Sequence, residues 1–374
     1  MIEFLNLKPK TFGLDISDFS LKIANLKKKG KFLTLASWGE TTIEPGIVEE
    51  GEIKNEEALV KIIRESLKGV RGEKITTKNV IAALPEKKSF LQVIQTPRMK
   101  EEDLASAIQF EAENYIPLPI EEVYLDFQIV KPLYDHLDHL DILLVASPKN
   151  IVDSYVSCLE KAGLSPQVLE IETQSIARAL VKNEISLSPV LLIDFGKSAT
   201  IFIIYSGRCL RFASTIPISS QHLTQAISKN MEIDLIEAEK LKLKYNLKTL
   251  EEGGKIEKKN IKNRKVFEAM IPVLSDMVGQ IKRCVSYYHT HGTHEHLGSN
   301  GKKLEKIILC GKGANLEGLA DFLSVSLKIP VEIGNPWINI LPEPLKEVPE
   351  LSFKDSLGYT TALGLALRGI RESN

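Results

Sequence analysis

FGLDISDFSLKIANL (residues 12–26) and VLLIDFGKSATIFII (residues 190–204) set the architecture of this chain. Each runs as an apolar strand into an aspartate, Asp15 or Asp194, turns through small or polar residues, and leaves as a second apolar strand. One hairpin ending on aspartate is common. Two of them, half a chain apart, read as a duplicated unit whose copies face one another. Turn amides pointing into such a gap donate to phosphate oxygens, and aspartates at the strand ends hold a hydrated Mg²⁺. The pair is a candidate phosphate clamp.

The rest of the sequence supports a two-domain α/β protein. Its 374 residues suffice for two cores. With 48 basic against 49 acidic side chains, the chain has no long-range field to draw in nucleic acid or anionic lipid. No apolar run is long enough for a membrane-spanning helix. The start, MIEFLNLKPKTF, lacks the features of a signal peptide. Cys158, Cys209, Cys284 and Cys310 lack CxxC spacing and read as buried thiols in a reducing cytosol.

Along the chain, residues 12–84 read as strands, the helix NEEALVKIIRESLKGV with Leu59, Ile62, Ile63 and Leu67 as its inward stripe, and the strand NVIAALP. From Phe90 to about Leu169 the pattern becomes β-α-β-β-α, an inserted subdomain. Its first helix aligns Leu104, Ile108, Ala112 and Tyr115 and is ended by Pro117 and Pro119. His136 and His139 read as solvated loop residues. After the helix IETQSIARALV and the second hairpin come helices over Ser219–Asn230 and LIEAEKLKLKYN, then a lysine-rich loop. The long helix from Val266 carries Pro272 early, where a kink is expected. The strand–Gly–helix–strand EKIILCGKGANLEGLADFLSVSLKIPVEI and the helix LGYTTALGLALRGI follow.

Asp-hairpin, Asp-hairpin and a later strand-Gly-x-Gly-helix, in that order, resemble the actin-like ATPase superfamily. Within it the chain resembles the PilM family of type IV pilus assembly proteins along nearly its full length. The most specific stretches are AIQFEAENYIPLPIEEVYLDFQ and ILCGKGANLEGL through to IGNPW. FtsA shares the plan but matches less closely. The resemblance implies an actin-like ATPase fold: two duplicated RNase H-like domains with an inserted small α+β subdomain. The first domain would take 10–84 with 172–188, the insert 85–171, and the second domain 189–374, with 231–303 as its helical and loop subdomain.

The resemblance also implies residue roles. Asp15, Ser17 and Lys22 would form the first phosphate hairpin, and Asp194, Gly196, Lys197, Ser198 and Thr200 the second. Asp15 and Asp194 would hold Mg²⁺ through water, with Glu172 helping to hold metal-bound water. Gly196 leaves room for phosphate against the amides, and the Thr200 hydroxyl would donate to phosphate. Glu239 and Lys242, three apart on one helical face, would grip the ribose. Gly311, Gly313 and Asn315 would line the adenine site. Bound ATP would set the angle between the halves. The implied partner is the cytoplasmic tail of the inner-membrane protein PilN, in a groove between the first domain and the insert. That places the protein in the cytoplasm, on the membrane only indirectly, with the pilus ATPases reached through the inner-membrane complex and homo-oligomers allowed.

Two departures bear on activity. Ser17, Asp18 and Phe19 stand where the family has a bare glycine turn. A carboxylate ~6 Å from a phosphate charge costs roughly 3 kcal/mol at an effective dielectric of ~20, on the order of a hundredfold in affinity. Lys312 replaces a third glycine and would shade the adenine pocket or meet a phosphate. Both imply nucleotide holding, with at most slow hydrolysis. A filament-forming FtsA-like division protein and a small-molecule kinase on the same fold are the alternatives. The kinase needs a catalytic base that the insert does not show in any suitable motif. His289, His291, His294 and His296 crowd one loop and invite a metal, but no supporting pattern surrounds them and a polar loop is the favoured reading.

Overall fold

The computed structural model describes residues 10–30, 32–133, 138–245, 247, 261–292, 303–342 and 344–372. In the first half, β1 (Phe12–Ile16), β2 (Ser20–Lys29) and β3 (Phe32–Thr42) form a meander. The short hairpin β4 (Val48–Glu49) and β5 (Glu52–Ile53), helix α1 (Glu56–Lys68), β6 (Arg71–Gly72) and β7 (Asn79–Leu84) follow. The chain then builds a small block from β8 (Phe90–Pro97), α2 (Glu101–Ala112), β9 (Val123–Val130) and β10 (His139–Pro148). It returns through α3 (Lys149–Lys161) and β11 (Ser165–Ile171) and crosses over on α4 (Glu172–Leu180). The second half comprises β12 (Ser186–Phe195), β13 (Thr200–Gly207), β14 (Cys209–Ile216), α5 (Ser220–Met231), α6 (Leu235–Lys244), α7 (Ile261–His291), β15 (Lys306–Cys310), α8 (Leu319–Leu327), β16 (Val331–Ile333), α9 (Phe353–Ser356) and α10 (Thr360–Glu372).

The duplication is visible in strand order. One sheet runs β11-β7-β1-β2-β3-β6 and the other β16-β15-β12-β13-β14. In each, the aspartate strand pairs antiparallel with its hairpin partner and parallel with a later strand. Alternation along β12 sends Leu191, Ile193 and Phe195 into a core shared with α5, α7 and α8, and Val190 and Leu192 toward α4. Along β1, Phe12, Leu14 and Ile16 pack with α1 and α3. Gly13 on the other face lies against α10, where a Cβ would come within 2.4 Å of the Ala362 carbonyl oxygen. Asp15 shares the face of Gly13 and Asp194 that of Leu192. Both therefore emerge on the inner faces of the sheets.

The halves exchange helices, a point the sequence left hidden. α4, expected with the first domain, packs on the second sheet through Ile176, Ala177 and Leu180. α10, expected with the second domain, covers the first sheet through Ala362, Leu363 and Ala366 beside Ala24, Leu26 and Trp38. α4 and α10 also pack on each other. The buried Glu170 carboxylate accepts from Arg178 of α4 (2.5 and 2.9 Å) and Arg368 of α10 (2.5 Å), stapling the crossing. α6 and α7 share a core with the second sheet rather than forming a unit of their own.

The insert is shorter than expected. Its sheet β8-β10-β9 and α2 span 90–148, whereas α3 packs with α1 and β11 pairs with β7 in the first sheet. On α2, Leu104, Ile108 and Ala112 are buried, but Tyr115 is 43% exposed and Ile116 takes the inward place. The helix stops at Ala112, so its 3.6-residue spacing does not reach Tyr115. The other face of the insert docks on β14, where Val130 and Leu143 meet Cys209. There Arg211 donates to Asp141 at 2.6 Å, both side chains 4% exposed. His139 is not solvated: it lies in β10, 3.4 Å from Asp141. α7 begins inside the expected lysine-rich loop and is continuous through Pro272, where a kink was expected. His294 and His296 lie outside the described residues.

Candidate functional site

Between the two sheets lies a cleft of about 900 Å³, open to solvent and lined by both hairpins, the β4–β5 hairpin and the first turns of α4, α5 and α10. Its floor is built by register. Asp15 on β1 pairs with Lys22 on β2, which pairs with Glu40 on β3, a row of alternating charge on one sheet face. The equivalent row in the second sheet is Asp194, Ile201 and Thr215. α4 and α10 both begin at this floor, with Glu172, Thr360 and Thr361 lining it. Their positive ends therefore face the cleft.

Three carboxyls share this floor, and burial acts on each. Asp194 is pushed up to about 6 by burial, the neighbouring Lys22 working against the shift and Asp15 adding to it. Burial raises Asp15, with Lys22 Nζ 3.8 Å away opposing the rise. Glu172 is raised well above the ordinary carboxylate range by burial, while the Glu86 N–H donating to its Oε1 at 2.9 Å opposes the rise. Yet among the described residues no three His, Cys, Asp or Glu side chains lie close enough together to hold a metal ion directly. A cation here would be bound through water.

A folded-state pKa of about 6 against an ordinary 3.8 means that the native state binds more protons than the unfolded chain between those values. Stability contributed by Asp194 is therefore greatest below about pH 4 and falls as pH rises to about 6, by up to about 3 kcal/mol. Ligand-free protein is expected to show this fall in Tm between about pH 4 and pH 6, and Asp194→Asn to remove it. Parallel Tm profiles for the two proteins would contradict the assignment.

The hairpin turns are more occupied than their sequences suggest. The Ser17 amide (2.9 Å) and hydroxyl (3.0 Å) both donate to the Ser20 carbonyl. Asp18 turns to the β4–β5 hairpin, accepting from the Gly51 amide at 3.0 Å. In the second turn the Gly196 amide donates to the Ala199 carbonyl at 3.0 Å. Lys197 and Ser198 line the cleft, with Lys197 Nζ 4.6 Å from the Phe19 ring centre, so the two hairpins touch tip to tip.

Several expected ligand residues do other work. Thr200 is fully buried, does not line the cleft and donates to the Ile218 carbonyl at 2.5 Å. Thr200→Val should cost about 1–2 kcal/mol by stranding that carbonyl, with nucleotide affinity unchanged. Denaturant unfolding beside a binding titration checks this. Glu239 and Lys242 do not line the cleft. Lys242 is buried between α6 and α5, donating to Glu239 (2.7 Å) and to Ser220 Oγ (2.7 Å), and burial lowers its pKa. Gly313 packs under Phe195, where a Cβ would meet the ring at 2.5 Å, and Asn315 donates to the Lys354 carbonyl. Gly311 does line the cleft; its φ of +79° and a Cβ position 2.1 Å from Asp194 Oδ1 admit only glycine. Lys312 lines the cleft, where its ammonium pairs with both Glu40 oxygens (2.7 and 2.6 Å) across it. Sequence reasoning missed Glu40 and Thr215 in the cleft lining, along with His222 and Gln225 on the cleft face of α5, and Glu86, whose N–H reaches Glu172.

The family described as "Type IV pilus assembly protein PilM" matches residues 13–370. A solved PilM–PilN type IV pilus biogenesis complex contains a chain 26% identical, with a TM-score of 0.76, covering 96% of this chain and 98% of that one. EutJ, the ethanolamine utilization protein of Carboxydothermus hydrogenoformans, is 15% identical (TM-score 0.53; 98% and 92% covered), and MreB5 of Spiroplasma citri bound to AMPPNP is 13% identical (TM-score 0.53; 97% of each). Both share the actin-like ATPase fold with this chain. Among curated relatives, the cell division protein FtsA of Helicobacter pylori is 23% identical over 208 residues, 52% of this chain and 41% of that protein. FtsA of Bacillus subtilis is 26% identical over 199 residues, 48% of this chain and 42% of that protein. The chain thus spans less than half the length of these curated relatives.

Proposed function

Because the chain belongs to the type IV pilus assembly protein PilM family, we propose that it is an ATP-holding scaffold of pilus assembly, working on the cytoplasmic side of the inner membrane. The observation that carries the reading is the pair of equivalent rows, headed by a buried aspartate, Asp15, and a half-buried one, Asp194, facing each other across one cleft. Asp15, Asp194 and Glu172 would hold the waters of a Mg²⁺ ion, and a metal would lower their raised pKa values by supplying the missing positive charge. Mg²⁺ when bound would neutralise phosphate charge. The fit needs it, because Asp15, Asp18, Glu40, Glu49, Glu50, Glu172 and Asp194 line the cleft against Lys22, Lys87, Lys197 and Lys312. Bare polyphosphate would be repelled.

The partner follows from the complex in which the similar chain was solved. PilN, through a short cytoplasmic tail, would bind between the first domain and the insert and hold the protein at the membrane. Among the described residues no helix is long and apolar enough to cross a membrane. Titrating a PilN-tail peptide into the whole protein tests the reading. Saturable binding is expected, and no signal at high micromolar peptide would overturn it.

A further inference from the structure

Each sheet sends one tie across the cleft from equivalent places. Just after β15, Lys312 reaches Glu40, the third-strand member of the first row. Just after β7, Glu86 meets Thr215, the third-strand member of the second row, whose hydroxyl donates to Glu86 Oε2. The first tie is ionic, with its lysine half exposed, and such pairs contribute little. The second is partly buried and differs in its company.

Glu86 sits in the short helical turn Glu86–Lys88 where the chain leaves the first sheet for the insert. Its backbone N–H donates to the cleft carboxylate Glu172 at 2.9 Å. On the same turn, Lys88 donates to Glu52 at 2.5 Å and Lys87 pairs with Glu50 at 2.6 Å, fixing the β4–β5 hairpin beside the cleft. A Cβ on Gly51 would lie 2.5 Å from Pro85, so hairpin and turn are packed together. Ser89 joins Ser147 at 2.9 Å, linking the outgoing and returning strands of the insert. Thr215 itself lies on β14, the strand on which the insert docks through Arg211 and Asp141. One turn therefore contacts the cleft floor, the second sheet and both legs of the insert.

We propose that Glu86 is the positioning residue that couples occupancy of the cleft to the placement of the inserted subdomain. The inference rests on the reading of the cleft as a nucleotide site and of the insert as part of the PilN site, and it names the residue joining them. A movement of Glu172 on filling of the cleft would be passed to the Glu86 backbone through their hydrogen bond, and the Glu86–Thr215 contact would carry it to the β14–insert boundary. The coupling is reciprocal, so peptide on the insert tightens nucleotide in the cleft by the same factor.

The test measures PilN-tail peptide affinity with and without Mg-AMPPNP, and Mg-AMPPNP affinity by itself, on the full chain. Wild type is expected to show a ratio of at least about fivefold. Thr215→Val and Glu86→Ala should each bring the ratio to about one, whatever either substitution does to the affinity of a single ligand. Glu86→Gln, which still accepts from Thr215, should restore it. Thr215→Val changes one hydroxyl to a methyl and keeps the test open should Glu86→Ala fail to fold. Wild-type coupling in Thr215→Val overturns the proposal, as does a wild-type ratio of one with both ligands bound; in both cases the functional reading stands. Failure of nucleotide or peptide to bind wild type instead overturns that reading, and this inference with it.

Discussion

Asp194→Ala is expected to weaken Mg-ATP binding by about 10–100-fold, the loss of one or two hydrogen bonds between a charged group and metal-bound water. The same variant should bind ATP better than wild type when the metal is chelated, because one of seven lining carboxylates is gone. Calorimetry with Mg²⁺ and with EDTA separates the two effects. The crossing of signs is the diagnostic result. Weaker binding under both conditions would mean that the substitution damages the cleft floor. Unchanged Mg-ATP affinity would remove Asp194 from the site altogether.

Gly13→Ala should destabilise the whole protein by more than about 3 kcal/mol. Its Cβ would meet the Ala362 carbonyl oxygen at 2.4 Å and the Ala366 amide at 2.7 Å, both backbone atoms of α10 with no side chain to swing away. Gly364→Ala drives the equivalent collision into α4, 2.0 Å from the Ser175 carbonyl, and should behave alike. Gly46→Ala, whose Cβ would meet nothing within 4 Å, is a control that reports only the strain of its φ of +88°. Thermal unfolding of the three variants checks the ranking. Loss of stability at Gly13 no larger than at Gly46 would contradict the close α10 contact.

How far the site could be read from sequence depends on which contacts are local. Asp15 opposite Lys22 is a hairpin pairing, and the two hairpins could be read because each lies within fifteen residues. Glu40 could not be found by extending that pairing. A bulge between Asn25 and Leu26 shifts the β2–β3 register by one, so Glu40 rather than Gly39 faces Lys22. Thr200 and Lys242 illustrate the converse. Their residue types suit a ligand, but burial and the Ile218 carbonyl or the first turn of α5 claim them, and such competition is invisible until the chain is folded. The insert was legible as a β-α-β-β block, yet its limit at 148 depends on β11 choosing β7 as its neighbour, a pairing between residues as far apart in the chain as Ser165 and Asn79. The exchange of α4 and α10 was hidden for the same reason. An amphipathic stripe reveals that a helix is covered without saying by which sheet.

That exchange has a consequence for biosynthesis. On the ribosome β1 emerges long before the helix that seals its inner face, residues 360–372. Until those residues are made, Leu26, Trp38 and the glycine groove at Gly13 stay uncovered, so the N-terminal half cannot finish folding ahead of its partner as independent domains do. Between the synthesis of β1 and that of α10, this apolar surface is expected to need chaperone protection. A ribosome stalled anywhere short of α10 would release an aggregation-prone fragment rather than a usable half.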